Sequence, residues 1–544
     1  MQNFLLLGAE AIGQGAIDGG LSGVYAYPGT PSTEITEYIQ ESSLAIERGI
    51  HRKWSANEKT AYEAALGMSY TGKRSLVCMK HVGLNVAADA FMNSATTGIH
   101  GGLILAVADD PSMHSSQNEQ DSRYYAAFAM VPVLEPSSQQ EAYDMVYEGF
   151  ELSERVKLPV ILRIPTRLAH SRSGVIRRPV KPLGELKLPG DLRQFVLLPA
   201  IARRRYAELL DKQPVLKQLS GESSYNRYTE GPDHRLGLVC CGIGINYLNE
   251  CYPDSPCPYP TVKLSQYPLP EKMMKRLRDE CEAILVIEEG YPLVEEQLRG
   301  FFDAGKPVHG RLDGRLPRTG ELNPDHVARA LDLPLRKGME MPEIVTGRPP
   351  AMCQGCGHID AFIAMNQVME KYGKGHVFSD IGCYTLGALP PYEAINSCVD
   401  MGASITMAKG AADGGLFPSV AVIGDSTFAH SGMTALLDAV NEHAPVTVVI
   451  SDNESVSMTG GQDSSAQGKI EDICKGIGVD PAHIRVVVPL KKNHDEMVRI
   501  FEEEFEYRGV SVIIPRRECI QRAARRRRNL SRGETAEANQ TTNS

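Results

Sequence analysis

Short, continuously apolar runs alternate with segments of helical periodicity along most of this chain. In the first 175 residues Val24–Tyr27, Ser75–Met79, Leu103–Ala108 and Val160–Arg163 read as strands buried on both faces, as in a parallel sheet. The alanine-rich segment Ala56–Tyr70 predicts a helix, with Ser55 as its N-cap. The same alternation returns with strands at Leu236–Cys240 and Ala283–Glu288. It returns again at His376–Ser379, Ser419–Gly424, Val446–Asn453 and Val512–Ile514, with a helical segment at Ser431–His443. Strands alternating with helices predict an α/β protein: parallel sheets with helices on both faces, and a smaller α/β domain in the middle.

The breaks in the pattern divide the chain. Pro179, Pro182 and Pro189 interrupt it, and the charged Ala202–Lys217 segment reads as an exposed helix. The expected organisation is an α/β domain at 1–175, a linker and insertion at 176–234, and a small α/β domain at 235–340. A Pro- and charge-rich linker covers 335–350, and an α/β domain covers 351–520. Residues 521–544, basic and then polar, are expected to be a disordered tail.

Composition narrows the possibilities. With 544 residues the chain has room for two to four domains. Its net charge of −10 argues against a general nucleic-acid binder, and the one basic cluster, Arg522–Arg532, lies in the expected tail. The first residues carry no basic n-region, and no stretch approaches the roughly 18 apolar residues of a membrane helix. A cytoplasmic protein with no membrane partner is expected. Its twelve cysteines are then not a disulfide framework. Cys78, Cys240, Cys241, Cys251, Cys257, Cys281, Cys398 and Cys474 have no ligand-like spacing and are expected to be buried.

Candidate chemistry concentrates at strand ends. Gly424-Asp425-Ser426 closes one apolar run and Asn453 closes the next. One carboxylate, one side-chain amide and a backbone carbonyl just after Asn453, at Ser455, would suit a Mg²⁺-diphosphate, because Mg²⁺ takes hard oxygen ligands and lets phosphates complete its shell. An Asp in this position also serves as a plain helix cap. Cys353-x-x-Cys356 lies in a Gly-rich turn, the Gly382-Cys383 turn follows a strand, and Cys519 follows the last strand. Four thiolates suit structural Zn²⁺ and [4Fe-4S] equally in ligand type.

Read in order, the motifs are Tyr27-Pro28-Gly29-Thr30-Pro31-Ser32, Trp54-Ser55-Ala56-Asn57-Glu58-Lys59, Met79-Lys80-His81-Val82-Gly83-Leu84-Asn85 and the polar run from Asp109 to Asp121. Cys353-Gln354-Gly355-Cys356-Gly357-His358, Ser379-Asp380-Ile381-Gly382-Cys383-Tyr384 and the Asp425/Asn453 pair follow. Together they resemble the alpha subunits of indolepyruvate ferredoxin oxidoreductase, over roughly 1–175 and 235–520. The resemblance implies a pyrimidine-binding-type thiamine diphosphate domain at 1–175, a transketolase C-terminal-like domain at 235–340 and a diphosphate-binding-type domain at 351–520. It implies thiamine diphosphate and Mg²⁺ as cofactors, with Asp425, Asn453 and Ser455 as Mg²⁺ ligands. Gly424, Ser426, Gly382 and Cys383 would line the cofactor. It further implies one [4Fe-4S] cluster on Cys353, Cys356, Cys383 and Cys519, and the redox demand of the reaction favours that reading over zinc.

The resemblance also assigns roles. Glu58 matches the carboxylate that hydrogen-bonds the aminopyrimidine ring and so promotes loss of the thiazolium C2 proton. On the residues alone, a Glu in a first helical turn is merely favourable to the helix dipole. Thr30, at a strand's C-terminal edge, either holds the 2-oxo acid or belongs to a plain turn. Lys80 or His81 would pair with a substrate carboxylate or handle protons, unless that stretch is a surface turn. The implied reaction is oxidative decarboxylation of arylpyruvates with CoA to aryl-acetyl-CoA, CO₂ and reduced ferredoxin, in a hetero-oligomer with a smaller beta subunit. One departure stands out: the two C-x₂-C-x₂-C-x₃-C-P runs of a ferredoxin-like module are not found after Cys383. That leaves two rival expectations, a non-oxidative decarboxylase or ligase of 2-oxo acids and a non-catalytic subunit that binds thiamine diphosphate or zinc.

Overall fold

The computed structural model describes residues 3–528 apart from 192, 302–306, 318, 337, 348–350, 399–400 and 414. The chain divides into two compact units, Met1–Glu340 and Met341–Ser544, and the division falls inside the 335–350 stretch.

The first unit is built on a seven-stranded sheet. Its order is Gln266–Tyr267, Val133–Leu134, Val160–Pro165, Leu103–Asp109, Ser75–Lys80, Gly23–Ala26 and His51–Trp54, parallel except for the first strand. The three central strands are buried along their whole length, as their unbroken apolar runs require. A second, five-stranded sheet runs Val308–His309, Ala283–Ile287, Leu236–Cys241, Thr261–Leu264 and Arg227–Thr229, with the last strand antiparallel. Gln266–Tyr267, from the smaller α/β region, therefore completes the edge of the first domain's sheet. Buried residues of both regions share hydrophobic clusters, among them Val107, Ile161, Val239 and Leu277.

The 176–234 stretch is more structured than a linker. Arg172–Ile176 pairs antiparallel with Asn3–Leu7, Pro199–Gly221 is one long helix, and Arg227–Thr229 joins the five-stranded sheet. The helix is charged outside but sinks Leu209, Leu216 and Leu219 into the core, which a purely exposed helix would not do. The helix expected from Ala56 begins at Glu58. Its cap is Asn57, whose side chain accepts from Thr60 N at 2.8 Å, whereas Ser55 N bonds Ala26 O in the neighbouring strand.

The second unit carries a five-stranded, all-parallel sheet in the order Val377–Ser379, Ser419–Gly424, Val446–Ser451, Ser511–Pro515 and Ile484–Val487. The helical segment after Asp425 contains a π-helical turn, Phe428–Gly432, before Met433–Asn441. Residues 520–528 are helical, so the expected disordered tail does not begin at 521; the rest of it lies outside the described residues. Among the described residues no helix is long and apolar enough to cross a membrane.

Candidate active site

In the first unit the C-terminal ends of four adjacent strands carry the four residues expected to be catalytic and the polar loop, Glu58 opening the helix that follows His51–Trp54. Strand Gly23–Ala26 runs into the turn holding Thr30. Strand Ser75–Lys80 runs into the helix His81–Val86. Leu103–Asp109 leads into the polar loop. Glu58 is buried, and its side chain lies against Gly83, where a Cβ would come within 2.7 Å of the Glu58 Cγ and Oε1 atoms. Any larger residue at 83 would displace the carboxylate. Lys80 is buried, with its stem against Gly29 and its Nζ donating to Ser115 O at 3.1 Å. Burial pushes its ammonium down to about 8, while Asp110 and Glu58 pull the other way.

His81 is fully buried, with Nε2 at 3.0 Å from Asn118 O. A carbonyl only accepts, so Nε2 carries the hydrogen and the neutral ring keeps its lone pair on Nδ1. That Nδ1 is buried and has no hydrogen-bond partner. The polar loop thus supplies main-chain oxygens to both side chains, and Ser115 Oγ donates to Thr30 O at 3.3 Å. Asp110 pins the loop by accepting from Ser115 N and Ser116 Oγ, and from Thr166 Oγ1 on its other oxygen.

Below this cluster lies an ion network that sequence reasoning missed. Arg163 bonds Asp109 at 2.6 Å, Glu135 at 2.5 Å and Glu289 O at 3.0 Å. Arg123 forks onto Asp121 and reaches Glu288 at 2.9 Å. All six side chains are buried. Burial alone would raise the Asp121 carboxyl, but Arg123 and Arg163 outweigh it and hold the group at about 2. Only the Arg123–Asp121 pair is local; nothing in the sequence signals Glu288, 165 positions from Arg123, or the partners of Arg163.

In the second unit Gly424 and Ser451 share a rung of the parallel ladder, so Asp425 and Asn453 begin just past the same sheet edge. Asp425 opens the short helix Asp425–Thr427 and is buried, and its Oδ2 has no hydrogen-bond partner. Burial, and then Asp452, lift its carboxyl to about 7. Asn453 Oδ1 accepts from Ser455 N at 3.1 Å and from Ser455 Oγ at 3.3 Å. Ser455 is buried within that turn, whereas Ser426 is half-buried. Between this edge and the Gly382-Cys383 turn stands the Tyr384 ring. A Cβ at Gly424 would come within 2.7 Å of it, and one at Gly382 would collide with it. Tyr384 donates to Asp380, which also accepts from Ser404 Oγ at 2.6 Å. Burial still lifts Asp380 to about 7.

The four cysteines singled out by spacing converge. Cys353, Cys356, Cys383 and Cys519 line one cavity of about 90 Å³, together with His358 and Asn453. Cys519 N donates to Asn453 O at 3.1 Å, which joins the cavity wall to the Asn453 turn. Burial first, then the other three cysteines, push the Cys383 thiol up to about 12. Burial pushes His358 down to about 4, so its ring is neutral there. Among the described residues no three His, Cys, Asp or Glu side chains are close enough to hold one metal ion. Of the cysteines expected to be buried, Cys398 is exposed and Cys251 and Cys257 are only half-buried.

Residues 14–188 match the family of pyruvate flavodoxin/ferredoxin oxidoreductase thiamine diphosphate-binding domains. Residues 380–514 match the C-terminal thiamine pyrophosphate-binding domain of thiamine pyrophosphate enzymes. Indolepyruvate oxidoreductase subunit IorA of Archaeoglobus fulgidus is 38% identical over 97% of this chain and 88% of its own length. The chain belongs to the IorA family. The IorA subunit of Thermococcus kodakarensis is 36% identical over 95% of this chain and 86% of its own length. The 2-oxoglutarate:ferredoxin oxidoreductase of Magnetococcus marinus, solved with 2-oxoglutarate, coenzyme A and succinyl-CoA, aligns at a TM-score of 0.49 and 15% identity, over 61% of this chain and 65% of that one. As an IorA family member with both thiamine diphosphate domains, the chain is the catalytic subunit of a thiamine diphosphate-dependent 2-oxoacid ferredoxin oxidoreductase.

Proposed function

We propose that the substrates are arylpyruvates, indolepyruvate among them, and that each is converted with CoA and two oxidised ferredoxins to aryl-acetyl-CoA, CO₂, two reduced ferredoxins and a proton. That relatives sharing 36–38% identity are indolepyruvate oxidoreductase subunits supports the substrate class. A smaller beta subunit is the expected partner, in the cytoplasm.

The observation that carries the cofactor assignment is the buried, partnerless Oδ2 of Asp425 beside the Asn453 turn. A carboxylate oxygen stripped of water and given no donor suits a divalent cation. Asp425, Asn453 and a Ser455 carbonyl would hold Mg²⁺, and Gly424, Ser426 and Gly382 would lie along the diphosphate. Thiamine diphosphate, when bound, supplies the carbon nucleophile and the electron sink for loss of CO₂. Glu58, fixed against Gly83, would hold the aminopyrimidine nitrogen through its carboxyl. Lys80, with its ammonium lowered toward neutrality, would pair with the substrate carboxylate, and Thr30 would hydrogen-bond the 2-oxo acid. His81 would accept a proton at the lone pair of Nδ1.

For the cysteines, four thiols lining one cavity suit either zinc or a cluster in ligand type, and the redox demand of the reaction favours the cluster. A [4Fe-4S] cluster, when bound, would accept electrons singly. The test is anaerobic purification with the beta subunit, Mg²⁺ and thiamine diphosphate. Iron and acid-labile sulfide at about four each per chain, with indolepyruvate- and CoA-dependent ferredoxin reduction, are expected. Stoichiometric zinc, with aldehyde released and no acceptor reduced, would replace the oxidative reading with a non-oxidative decarboxylase.

A further inference from the structure

The helix at 520–528 carries Arg522, Arg525, Arg526, Arg527 and Arg528, on a chain whose net charge is −10. It begins one residue after Cys519, and Gln521 Nε2 lies 3.5 Å from Cys353 Sγ, so it forms an outer flank of the cysteine cavity. Arg522 pairs with Asp463 and donates to Glu454 O at 2.5 Å, and Arg525 donates to Gly460 O at 2.6 Å. These contacts fasten the helix across the hairpin that follows Asn453. The last four arginines are exposed. Three of the five, Arg522, Arg525 and Arg528, border a depression of about 140 Å³ that reaches Cys519 and Gly460.

Like charges three and four positions apart on a helix destabilise it. Arg522, Arg525 and Arg526 have partners within the unit, at Asp463, Gly460 O and Glu518; Arg527 and Arg528 carry the positive surface further outward on a chain of net charge −10, which points to a partner. We propose that this helix is the docking surface for an acidic, one-electron carrier protein seated over the outer flank of the cysteine cavity. The inference rests on the oxidative reading above. Each 2-oxo acid yields two electrons, so two oxidised carriers must each meet the enzyme and leave with one. A long-range positive patch beside the exit point speeds such repeated, short-lived encounters. Arg526 and Arg527 lie outside that depression, so the positive surface extends beyond it, unlike the converging donors of a closed phosphate pocket. The helix also offers only Ile520, Ala523 and Ala524 as apolar residues, too little for a membrane surface.

The test uses the anaerobic holoenzyme and an acidic single-cluster ferredoxin as probe, with Kd measured by calorimetry. Arg527→Glu/Arg528→Glu leaves the anchoring Arg522 and Arg525 in place, and Arg527→Gln is the milder companion. The double variant should weaken ferredoxin binding by about tenfold or more, and the single by severalfold. The parent's Kd should rise steeply with added salt, and the variant's less. The KM for ferredoxin should follow Kd, with reduction of methyl viologen, a small dication, within about twofold of the parent. Unchanged Kd and salt dependence in both variants would refute the docking surface. A rise in the KM for CoA with ferredoxin binding unaltered would refute it in favour of a phosphate site. Equal affinity for tRNA or anionic vesicles would refute it as well. A parent that contains no iron and reduces no acceptor fails the oxidative reading itself, a result separate from all of these.

Discussion

Buried acids occur at both sheet edges, and the two units treat them differently. In the first unit Asp109, Asp121, Glu135 and Glu288 meet Arg163 and Arg123, and Asp121 is held at about 2. In the second unit Asp425 has one oxygen without a donor, Asp380 is met by hydroxyls, and both are lifted to about 7. Taking a charge out of water costs several kcal/mol unless a counter-charge offsets it. In the first network every acid touches a guanidinium, although four carboxylates share two arginines, Asp109 Oδ1 has no hydrogen-bond partner and burial still raises Asp109 and Glu288. Among the described residues Asp425 has no ion-pair partner at all, which suits a cation. What marks the candidate site is therefore a buried carboxylate without any cationic partner, not the amount of buried charge.

Arg163→Met should destabilise the protein by about 3–5 kcal/mol, because Asp109 and Glu135 are left buried and uncompensated. Chemical denaturation with both units monitored would show it, and a loss under about 1 kcal/mol would mean the network is dispensable. Glu58→Gln comes next. It should lower turnover by about 10³-fold, roughly 4 kcal/mol, with folding and thiamine diphosphate affinity retained. If C2 proton exchange of bound cofactor, followed by NMR, stays as fast as in the parent, Glu58 merely starts a helix.

Asp425→Asn sharpens the contrast because its sign is opposite. Removing a carboxylate that has no counter-charge should stabilise the apoprotein by on the order of 1–3 kcal/mol above pH 7. It should also weaken Mg²⁺-dependent thiamine diphosphate binding by about 10–100-fold. Calorimetry at matched pH reads both. A variant that is less stable than the parent yet binds the cofactor normally would contradict the assignment.

How much of this was legible in the chain follows from the range of each signal. The strands at 75–80, 103–109, 160–165, 419–424 and 446–451 were legible because they are unbroken apolar runs. Asp425, Asn453 and the four cysteines stood out because each sits next to such a run or in a glycine turn. The Arg123–Glu288 pair and the Arg163 pairs were not legible, since those partners come from distant parts of the chain and no local pattern couples them. Asp380 lies inside a motif read only for its cysteine, and its role emerges from Tyr384 and Ser404 folding back onto it. Helix 520–528 was misread because its charge outweighed the good helix propensity of Ala and Arg, and its ties to Asp463 and Gly460 are tertiary.

The smallest expected effect tests whether Asp380 belongs with Asp425. Its carboxyl is raised to about 7 in the fold, against an unfolded value near 3.9. The folded state therefore binds this proton more tightly, and the stability it contributes is present below about pH 4 and lost as pH rises through 7. His358, lowered to about 4, acts over nearly the same window with the opposite slope: its contribution is complete above about pH 6.5 and is lost as pH falls. In the parent apoprotein the two partly cancel. Asp380→Asn removes the first and leaves the second, so the variant should gain stability relative to the parent between pH 5 and pH 7.5 by about 1 kcal/mol. Urea midpoints at the two pH values measure this. Parallel pH profiles for variant and parent would mean that the Tyr384 and Ser404 hydroxyls already keep Asp380 ionised, which would move it from the unbalanced group to the balanced one.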